Sequence, residues 1–177
     1  AGPLALAFVD HHRFTAISYK LPLVDALVGT AALLADLNGI TKAGHVRDKL
    51  TWLIGYAETL RALVEMSALR GRPDDVGIFV PDTLTVNIAK SHFAHGYHTA
   101  LQHVQDISGG LLVTAPASED FANPATGPLL RRYLAGRAGV DGEERIRALK
   151  MATDLTTGEL GGYHAVLAIH AEGSLEA

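Results

Sequence analysis

Apolar residues between His45 and Arg70 recur at alternating steps of four and three residues, and this spacing constrains the fold more than any other feature. The positions are Val46, Leu50, Leu53, Ala57, Leu60 and Val64. On an α-helix they form one stripe, with the spacing of a seam between packed helices. Gly71 follows, a residue type that commonly ends helices. The segment therefore predicts one long helix that packs against others.

An earlier segment predicts a second helix. Pro22 suits the first turn of a helix, and Asn38-Gly39 suits its end. The residues between them are apolar on most faces, and such a helix is covered by neighbours or by partners. We therefore expect this helix to be buried in a bundle or to support self-association.

Two more long helices follow from capping signals. Asp82 is a favoured N-cap residue for a helix that runs to the glycine pair Gly109-Gly110. Asp141 and Glu144 have capping-box spacing at the start of a helix that runs to about Leu155.

The remaining segments are predicted to be shorter. We expect a loop-rich stretch over 108–127, in which LLVT (111–114) is a short extended piece, a short helix over 129–134 and a last helix over 163–170. The predicted fold is all-α: an antiparallel four-helix bundle in which residues 1–177 form a single domain.

Composition excludes several classes of protein. A net charge of −4 leaves no basic surface typical of nucleic-acid binding, and no charge block typical of membrane attachment. The chain has no cysteine, so it supplies no disulfide, thiolate nucleophile or cysteine ligand of an iron–sulfur cluster. These features favour a cytoplasmic protein that binds neither nucleic acid nor membranes.

The ends of the sequence favour a piece of a longer protein. The chain begins AGPLALAFVDHH, without Met or a basic leader, and stops at AEGSLEA. We expect it to be an excised piece of a longer polypeptide, cut at a domain boundary.

The glycine pair within QDISGGLLVTAPASED (105–120) has two interpretations. Backbone without side chains at Gly109 and Gly110 can approach a phosphate or a flavin closely and donate its N–H groups. Glycines at the same place also simply end a helix. The sequence by itself leaves both interpretations open.

A second polar cluster lies near the N-terminus. It gathers imidazole, guanidinium, hydroxyl, phenol and ammonium groups within ten residues: His11, His12, Arg13, Thr15, Ser18, Tyr19 and Lys20. Such a cluster suits an anionic ligand or proton transfer. A polar chain entry that caps a helix bundle explains it equally well.

Other motifs indicate little chemistry. His92, His95 and His98 recur every three residues, but no Glu-x-x-His motif accompanies them, so a polar helix face is favoured over a metal site. Nucleophile-elbow, Walker A and Gly-x-Gly-x-x-Gly motifs are absent from the sequence.

Four stretches taken in order resemble one flavoprotein family. They are HHRFTAISYK, KAGHVRDKLTWLIGYAETLRAL, QDISGGLLVTAPASEDF and the near-terminal HAEGS. The chain is similar to the C-terminal domain of the family that contains the 4-hydroxyphenylacetate 3-hydroxylase large component and 4-hydroxybutyryl-CoA dehydratase. The resemblance implies an architecture like that of acyl-CoA dehydrogenases, assembled as a tetramer. It also implies three domains, of which residues 1–177 would be the C-terminal helical one, so we expect this fragment alone to be inactive.

The resemblance also implies the site residues. The Gln…Gly-Gly turn of such proteins contacts flavin, so FAD (or FMN) is expected at Gln105, Asp106, Ser108, Gly109 and Gly110.

The catalytic residues implied are His12, Arg13 and Lys20. In the dehydratase branch, a histidine that matches His12 binds a [4Fe–4S] cluster, and the cysteine expected seven residues later is Tyr19 here. No cluster is therefore expected from this chain, and His12 is interpreted as an acid–base group or a hydrogen-bond donor to substrate. Arg13 and Lys20 are expected to hold an anionic group.

Three functions follow from the resemblance. The favoured one is a flavin-dependent monooxygenase that hydroxylates a phenol with reduced flavin and O₂, supported by a separate flavin reductase and assembled as a homo-oligomer, a dimer or tetramer. The alternatives are a dehydratase or isomerase acting on an acyl-CoA, and a helical assembly module without activity of its own.

Overall fold

The structure is a computed structural model that describes residues 2–171. Within that range the chain forms eight helices and one two-stranded hairpin. The elements in chain order are α1 (Gly2–Leu37), α2 (Gly44–Arg70), β1 (Arg72–Pro73), β2 (Phe79–Val80), α3 (Thr83–Ser108), α4 (Leu111–Thr114), α5 (Ser118–Ala122), α6 (Gly127–Tyr133), α7 (Gly142–Thr156) and α8 (Glu159–His170). The predicted all-α fold class is confirmed.

Helix α1 is much longer than its sequence pattern predicts. The helix begins at Gly2, so Pro22 lies inside it rather than in its first turn. A proline inside a helix removes one backbone hydrogen bond and costs about 3 kcal/mol. Ala16 and Ile17, one turn earlier, are fully buried in the core, and their packing outweighs the preference of Pro22 for a helix start. His12 and Arg13 therefore lie on α1 rather than before it.

Helix α1 is also long and apolar enough to cross a bilayer, with a mean hydropathy of 1.4 over its best 18-residue window. In that window 39% of the helix is buried inside the protein. Core helices of globular proteins meet the same criterion, so the pattern is weak evidence for a membrane span.

The chain forms two compact units, and α1, α2 and α3 each contribute to both. Within residues 2–171, unit 1 comprises 2–25, 54–99 and 164–171, and unit 2 comprises 26–53 and 100–163. The prediction that the chain is a single domain stays a prediction.

The core of unit 1 forms where α2 and α3 approach closely. A Cβ atom added to Gly96 would lie 2.3 Å from the Tyr56 ring, so only glycine allows this contact. The Tyr56 hydroxyl donates to the Phe93 carbonyl at 2.7 Å. Other fully buried residues of the unit include Ile17, Val24, Leu60, Val86 and Tyr97.

A short hairpin follows α2 in unit 1, where the sequence predicts only a loop. β1 and β2 are antiparallel, with Arg72 opposite Val80. The turn is an Asx-type turn, in which the Asp74 carboxylate accepts from the amides of Val76 and Ile78 at 3.0 and 2.8 Å.

Unit 2 packs its helices around Leu34, Leu53, Val104 and Leu149, all fully buried. Both predicted N-caps are confirmed: Asp82, in unit 1, accepts from the Thr85 amide and Asp141 from the Glu144 amide, each at 2.9 Å. The expectation of an extended LLVT piece is wrong, because these residues form α4. The short helix starts directly after the glycine pair, and the Leu112 amide donates to the Gly109 carbonyl at 3.1 Å.

Candidate functional site

The glycine pair ends α3 and remains open to solvent. Gly109 has a φ of +70°, a left-handed conformation that favours glycine, and its amide donates to the Gln105 carbonyl at 3.0 Å. Gly110 keeps ordinary helical angles (φ −61°, ψ −26°) as the N-cap of α4. A Cβ added to either glycine would meet no atom within 4 Å. The helix-ending interpretation is confirmed, and the turn also exposes bare backbone, whose contact with a phosphate or flavin stays a prediction.

A surface pocket of about 610 Å³ lies beside this turn. Its lining, which we call the glycine-turn pocket, consists of Lys49 from α2 with Gln102, His103, Gln105, Asp106, Gly109 and Gly110. Within residues 2–171, the Gly110 amide donates to no backbone acceptor. The pocket therefore combines a backbone donor, amide side chains, one ammonium and one carboxylate.

An ion pair spans α2 and α3 at the pocket. The Lys49 ammonium lies 2.9 Å from the Asp106 carboxylate, with side chains that are 22% and 59% exposed. The hydrogen bond from Lys49, together with its charge, lowers the pKa of Asp106. Asp106 is therefore ionised at neutral pH, and the pair contributes no net charge to the pocket.

His103 lies at the inner side of the same pocket. Its ring meets Trp52, the single tryptophan of the chain, edge to face at a centroid distance of 4.9 Å. Burial, and then the positive charge of Lys49, lower the pKa of His103. The imidazole is therefore neutral at pH 7 and can accept or donate a hydrogen bond.

The structure brings together four of the five cofactor residues predicted from the sequence: Gln105, Asp106, Gly109 and Gly110. The fifth, Ser108, is buried, and its hydroxyl donates to the Val104 carbonyl at 2.6 Å. The Ser108 side chain does not line the pocket, so a contact between this residue and a cofactor stays a prediction.

Sequence reasoning missed Lys49 and His103. Lys49 comes from another helix, and no motif spacing relates it to the glycine turn. The available signal was its position beside the apolar stripe of α2, because a long side chain that flanks such a seam can reach across the facing helix. His103 precedes Gln105 by two residues, and only packing shows that both line one pocket.

The predicted catalytic residues lie in unit 1, on α1, whereas the glycine-turn pocket belongs to unit 2. His12 is exposed; its ring stacks on Phe8 at 5.3 Å, and its Nε2 lies 3.5 Å from the Ala171 carbonyl oxygen. Arg13 donates to the Asn87 side chain.

Lys20 is the most buried of the three predicted catalytic residues, with 2% of its surface exposed. Its ammonium lies 4.8 Å from the centroid of the Phe93 ring. The ring face attracts the cation, which offsets part of the cost of burying it.

Two histidines of α3, His92 and His95, have ring nitrogens within hydrogen-bond distance of backbone carbonyls. A ring nitrogen of His92 lies 3.2 Å from the Tyr56 carbonyl, and one of His95 lies 2.8 Å from the Ser91 carbonyl. Among residues 2–171, no group of three or more His, Cys, Asp or Glu side chains is arranged to hold a metal ion.

His11 contacts the hairpin through its ring. Its Nδ1 lies 2.9 Å from the Ala7 carbonyl and its Nε2 lies 3.0 Å from the Phe79 carbonyl. These two hydrogen bonds are the main reason why the pKa of His11 is raised.

Among known proteins, the chain is similar to both branches of one enzyme family. A 4-hydroxybutyryl-CoA dehydratase/vinylacetyl-CoA-Δ-isomerase of Clostridium aminobutyricum is 29% identical over 100% of this chain and 38% of its own length. The oxygenase component of 4-hydroxyphenylacetate 3-monooxygenase of Thermus thermophilus is 28% identical over 89% of this chain and 32% of its own length. The chain thus spans about a third of the length of these curated relatives.

Solved structures of a dehydratase and of an oxygenase component both share the fold of this chain. An archaeal 4-hydroxybutyryl-CoA dehydratase from N. maritimus matches 99% of the chain and 35% of its own length, with a TM-score of 0.91 and 35% identity. The oxygenase component of a 4-hydroxyphenylacetate 3-monooxygenase, complexed with FAD, matches 96% of the chain and 35% of its own length, with a TM-score of 0.90 and 26% identity.

The family model for the C-terminal part of 4-hydroxyphenylacetate 3-hydroxylase matches residues 1–177, the full chain. The resemblance noted from the sequence is confirmed. The chain belongs to the 4-hydroxyphenylacetate 3-hydroxylase C-terminal family.

Proposed function

We propose that this chain is the C-terminal helical domain of a flavin-dependent oxidoreductase and that its glycine-turn pocket contacts the flavin. The open backbone at Gly109-Gly110, next to the Lys49 ammonium, is the observation that carries this proposal. Relatives of the family are named as monooxygenases, and one solved relative is described as complexed with FAD.

The residues of the pocket fit the diphosphate of a flavin dinucleotide. The Gly110 amide and the ammonium of Lys49 are donors for phosphate oxygens. The Gln105 amide can both donate and accept, which suits hydroxyl groups. FAD rather than FMN is therefore the proposed cofactor, because FMN has no diphosphate bridge.

The proposed reaction is hydroxylation of a phenol. Bound reduced flavin would supply the reaction with O₂; the protein contributes positioning and the exclusion of water. His12 is exposed on α1 and can exchange a proton with a substrate hydroxyl. Arg13 and the buried Lys20 supply positive charge for a carboxylate or a phenolate.

A dehydratase or isomerase acting on an acyl-CoA is the second candidate, favoured by the 35% identity to the archaeal dehydratase against 26% for the oxygenase. The absence of cysteine opposes it, since the chain offers no thiolate for a cluster. A helical assembly module without its own activity is the third candidate.

We propose further that the protein works as a homo-oligomer, a dimer or tetramer, in the cytoplasm, with a separate flavin reductase. Large exposed apolar side chains such as Leu4, Leu6 and Phe8 on α1 support self-association.

Flavin titration of the full-length protein that carries this chain tests the proposal. Gly110→Leu should abolish flavin binding without unfolding the protein, because ordinary backbone angles and open space accept the side chain, which then fills the pocket. Gly55→Leu is the matched control: Gly55 is exposed on α2 and also has open space around it. Equal flavin affinity in both variants would overturn the proposed site.

Turnover separates the candidate functions. O₂-dependent hydroxylation of 4-hydroxyphenylacetate, given a reductase and NADH, would select the monooxygenase. Dehydration of 4-hydroxybutyryl-CoA by the same preparation would select the second candidate. A full-length protein that binds no flavin would leave only the assembly module.

A further inference from the structure

We infer that the Lys49 ammonium moves from the Asp106 carboxylate to the phosphate oxygens when the diphosphate of the flavin binds. Asp106 therefore competes with the diphosphate for Lys49 and limits the affinity of the pocket for FAD. The inference rests on the proposed function and assigns opposite roles to two residues of the same pocket.

Charge within the pocket requires such an exchange. Lys49 is the single residue of the pocket lining that carries a formal positive charge at neutral pH, and its ammonium is held by Asp106 at 2.9 Å. With the pair intact, an incoming diphosphate meets a pocket of zero net charge and a carboxylate that is more exposed than the ammonium. Binding two negative charges there is favourable only if the ammonium turns toward them.

Geometry makes the exchange a small movement. Asp106 and Gly110 line the same pocket as Lys49, so the present and proposed partners of the lysine share one site. The lysine side chain is a flexible four-carbon stem with three donors. The ammonium also lies 3.3 Å from the His45 carbonyl, an anchor that it can keep during the exchange.

Protonation does not relieve the competition at neutral pH. The hydrogen bond from Lys49 holds the pKa of Asp106 below its ordinary value, so the carboxylate stays charged. The other titratable groups near Asp106 are His45 and His103. Burial and the Lys49 charge lower the pKa of His103, which keeps its imidazole neutral in the free protein. Lys49 is therefore the cation that is available at neutral pH.

The test compares two substitutions in the full-length protein that should change the affinity for FAD in opposite directions. Lys49→Met should weaken FAD binding by about tenfold or more, the usual effect of losing one charge-assisted hydrogen bond. Asp106→Asn should strengthen FAD binding severalfold, because it frees the ammonium and removes a negative charge. Lys42→Met and Asp48→Asn are matched controls: they make the same charge changes at exposed positions outside the pocket lining, and they should leave FAD affinity unchanged.

Two further ligands separate a diphosphate contact from a general effect on the fold. Riboflavin has no phosphate, so its affinity should be unaffected by Lys49→Met. Inorganic pyrophosphate, titrated by calorimetry, should follow the FAD pattern across the variants.

Each outcome has one meaning. Weaker or unchanged FAD binding in Asp106→Asn would overturn the inference, and weaker binding would indicate that the carboxylate itself accepts from the cofactor. Unchanged FAD binding in Lys49→Met would overturn it as well, while loss of flavin in Gly110→Leu would still support the proposed site. If pyrophosphate binding follows the expected pattern across the variants but the wild-type protein binds no flavin, the proposed function is refuted and the change of partners by Lys49 is retained.

Discussion

The free energy of unfolding should change in opposite directions when each of two buried tyrosines in unit 1 loses its hydroxyl group. Tyr97 is fully buried, and within residues 2–171 its hydroxyl has no hydrogen-bond partner. A buried polar group without a partner costs about 1–3 kcal/mol. Tyr97→Phe removes that cost and creates only a small void, so we expect it to raise the free energy of unfolding by about 1 kcal/mol.

Tyr56 provides the matched control. Its hydroxyl donates to the Phe93 carbonyl at 2.7 Å. Tyr56→Phe loses this bond, so we expect the free energy of unfolding to fall by about 1 kcal/mol. The two variants delete the same atom from the same side-chain type, and a difference of about 2 kcal/mol should separate them.

Urea denaturation followed by far-UV circular dichroism measures both changes. For a domain of this size each kcal/mol shifts the melting temperature by about 2–4 °C. Burial also raises the pKa of Tyr97 to about 12, above the value of about 10 in the unfolded chain. The unfolded chain therefore loses this proton first, so the free energy of unfolding is unaffected below pH 10 and falls as the pH rises toward 12. The Tyr97→Phe variant should show less of this alkaline loss. If Tyr97→Phe destabilises the protein as much as Tyr56→Phe does, the Tyr97 hydroxyl has a partner and the reasoning is wrong.

Three other predictions concern the turns and the pocket. Gly136→Ala should destabilise the protein by about 1–3 kcal/mol in the same denaturation assay, because its Cβ would lie 2.2 Å from the backbone carbonyl oxygen of Leu37; a neutral result would mean that this loop moves freely. Both ring nitrogens of His11 face carbonyl oxygens, an arrangement that needs the protonated ring. The hairpin should therefore be protected from hydrogen exchange below pH 6.5 and lose this protection as the pH rises through the raised pKa of His11. Exchange that does not depend on pH would contradict this prediction. The fluorescence of Trp52 should report the protonation of His103, with a titration midpoint below pH 6.5 in the free protein. This midpoint should move to higher pH when pyrophosphate binds. A midpoint that does not move would place the anion elsewhere.

Local signals predicted the middle and late helices well. The apolar stripe from His45 to Arg70 and the following Gly71 gave the bounds of α2 to within one residue. The Asp141 cap needs only a contact three residues away, and the structure has it. Such features depend on neighbours in sequence, which is why a single chain reveals them.

Features that depend on packing were not visible in the sequence. The preference of Pro22 for a helix start was outweighed by the burial of Ala16 and Ile17 before it. The glycine turn of the candidate site was predicted, but its partner Lys49 was not, because the contact exists only once α2 and α3 lie side by side. Sequence reasoning therefore located the backbone and the carboxylate of the site and missed its cation.

The two adjacent glycines are restricted by different forces, and a saturation library should separate them. Position 109 needs a left-handed backbone, so asparagine and aspartate should be the best-tolerated replacements when selection is for folding alone. Position 110 has ordinary angles and empty surroundings, so nearly every side chain should survive selection for abundance there. Under selection for activity, position 110 should tolerate fewer residue types than position 109, because only a bound ligand requires the absence of a side chain there.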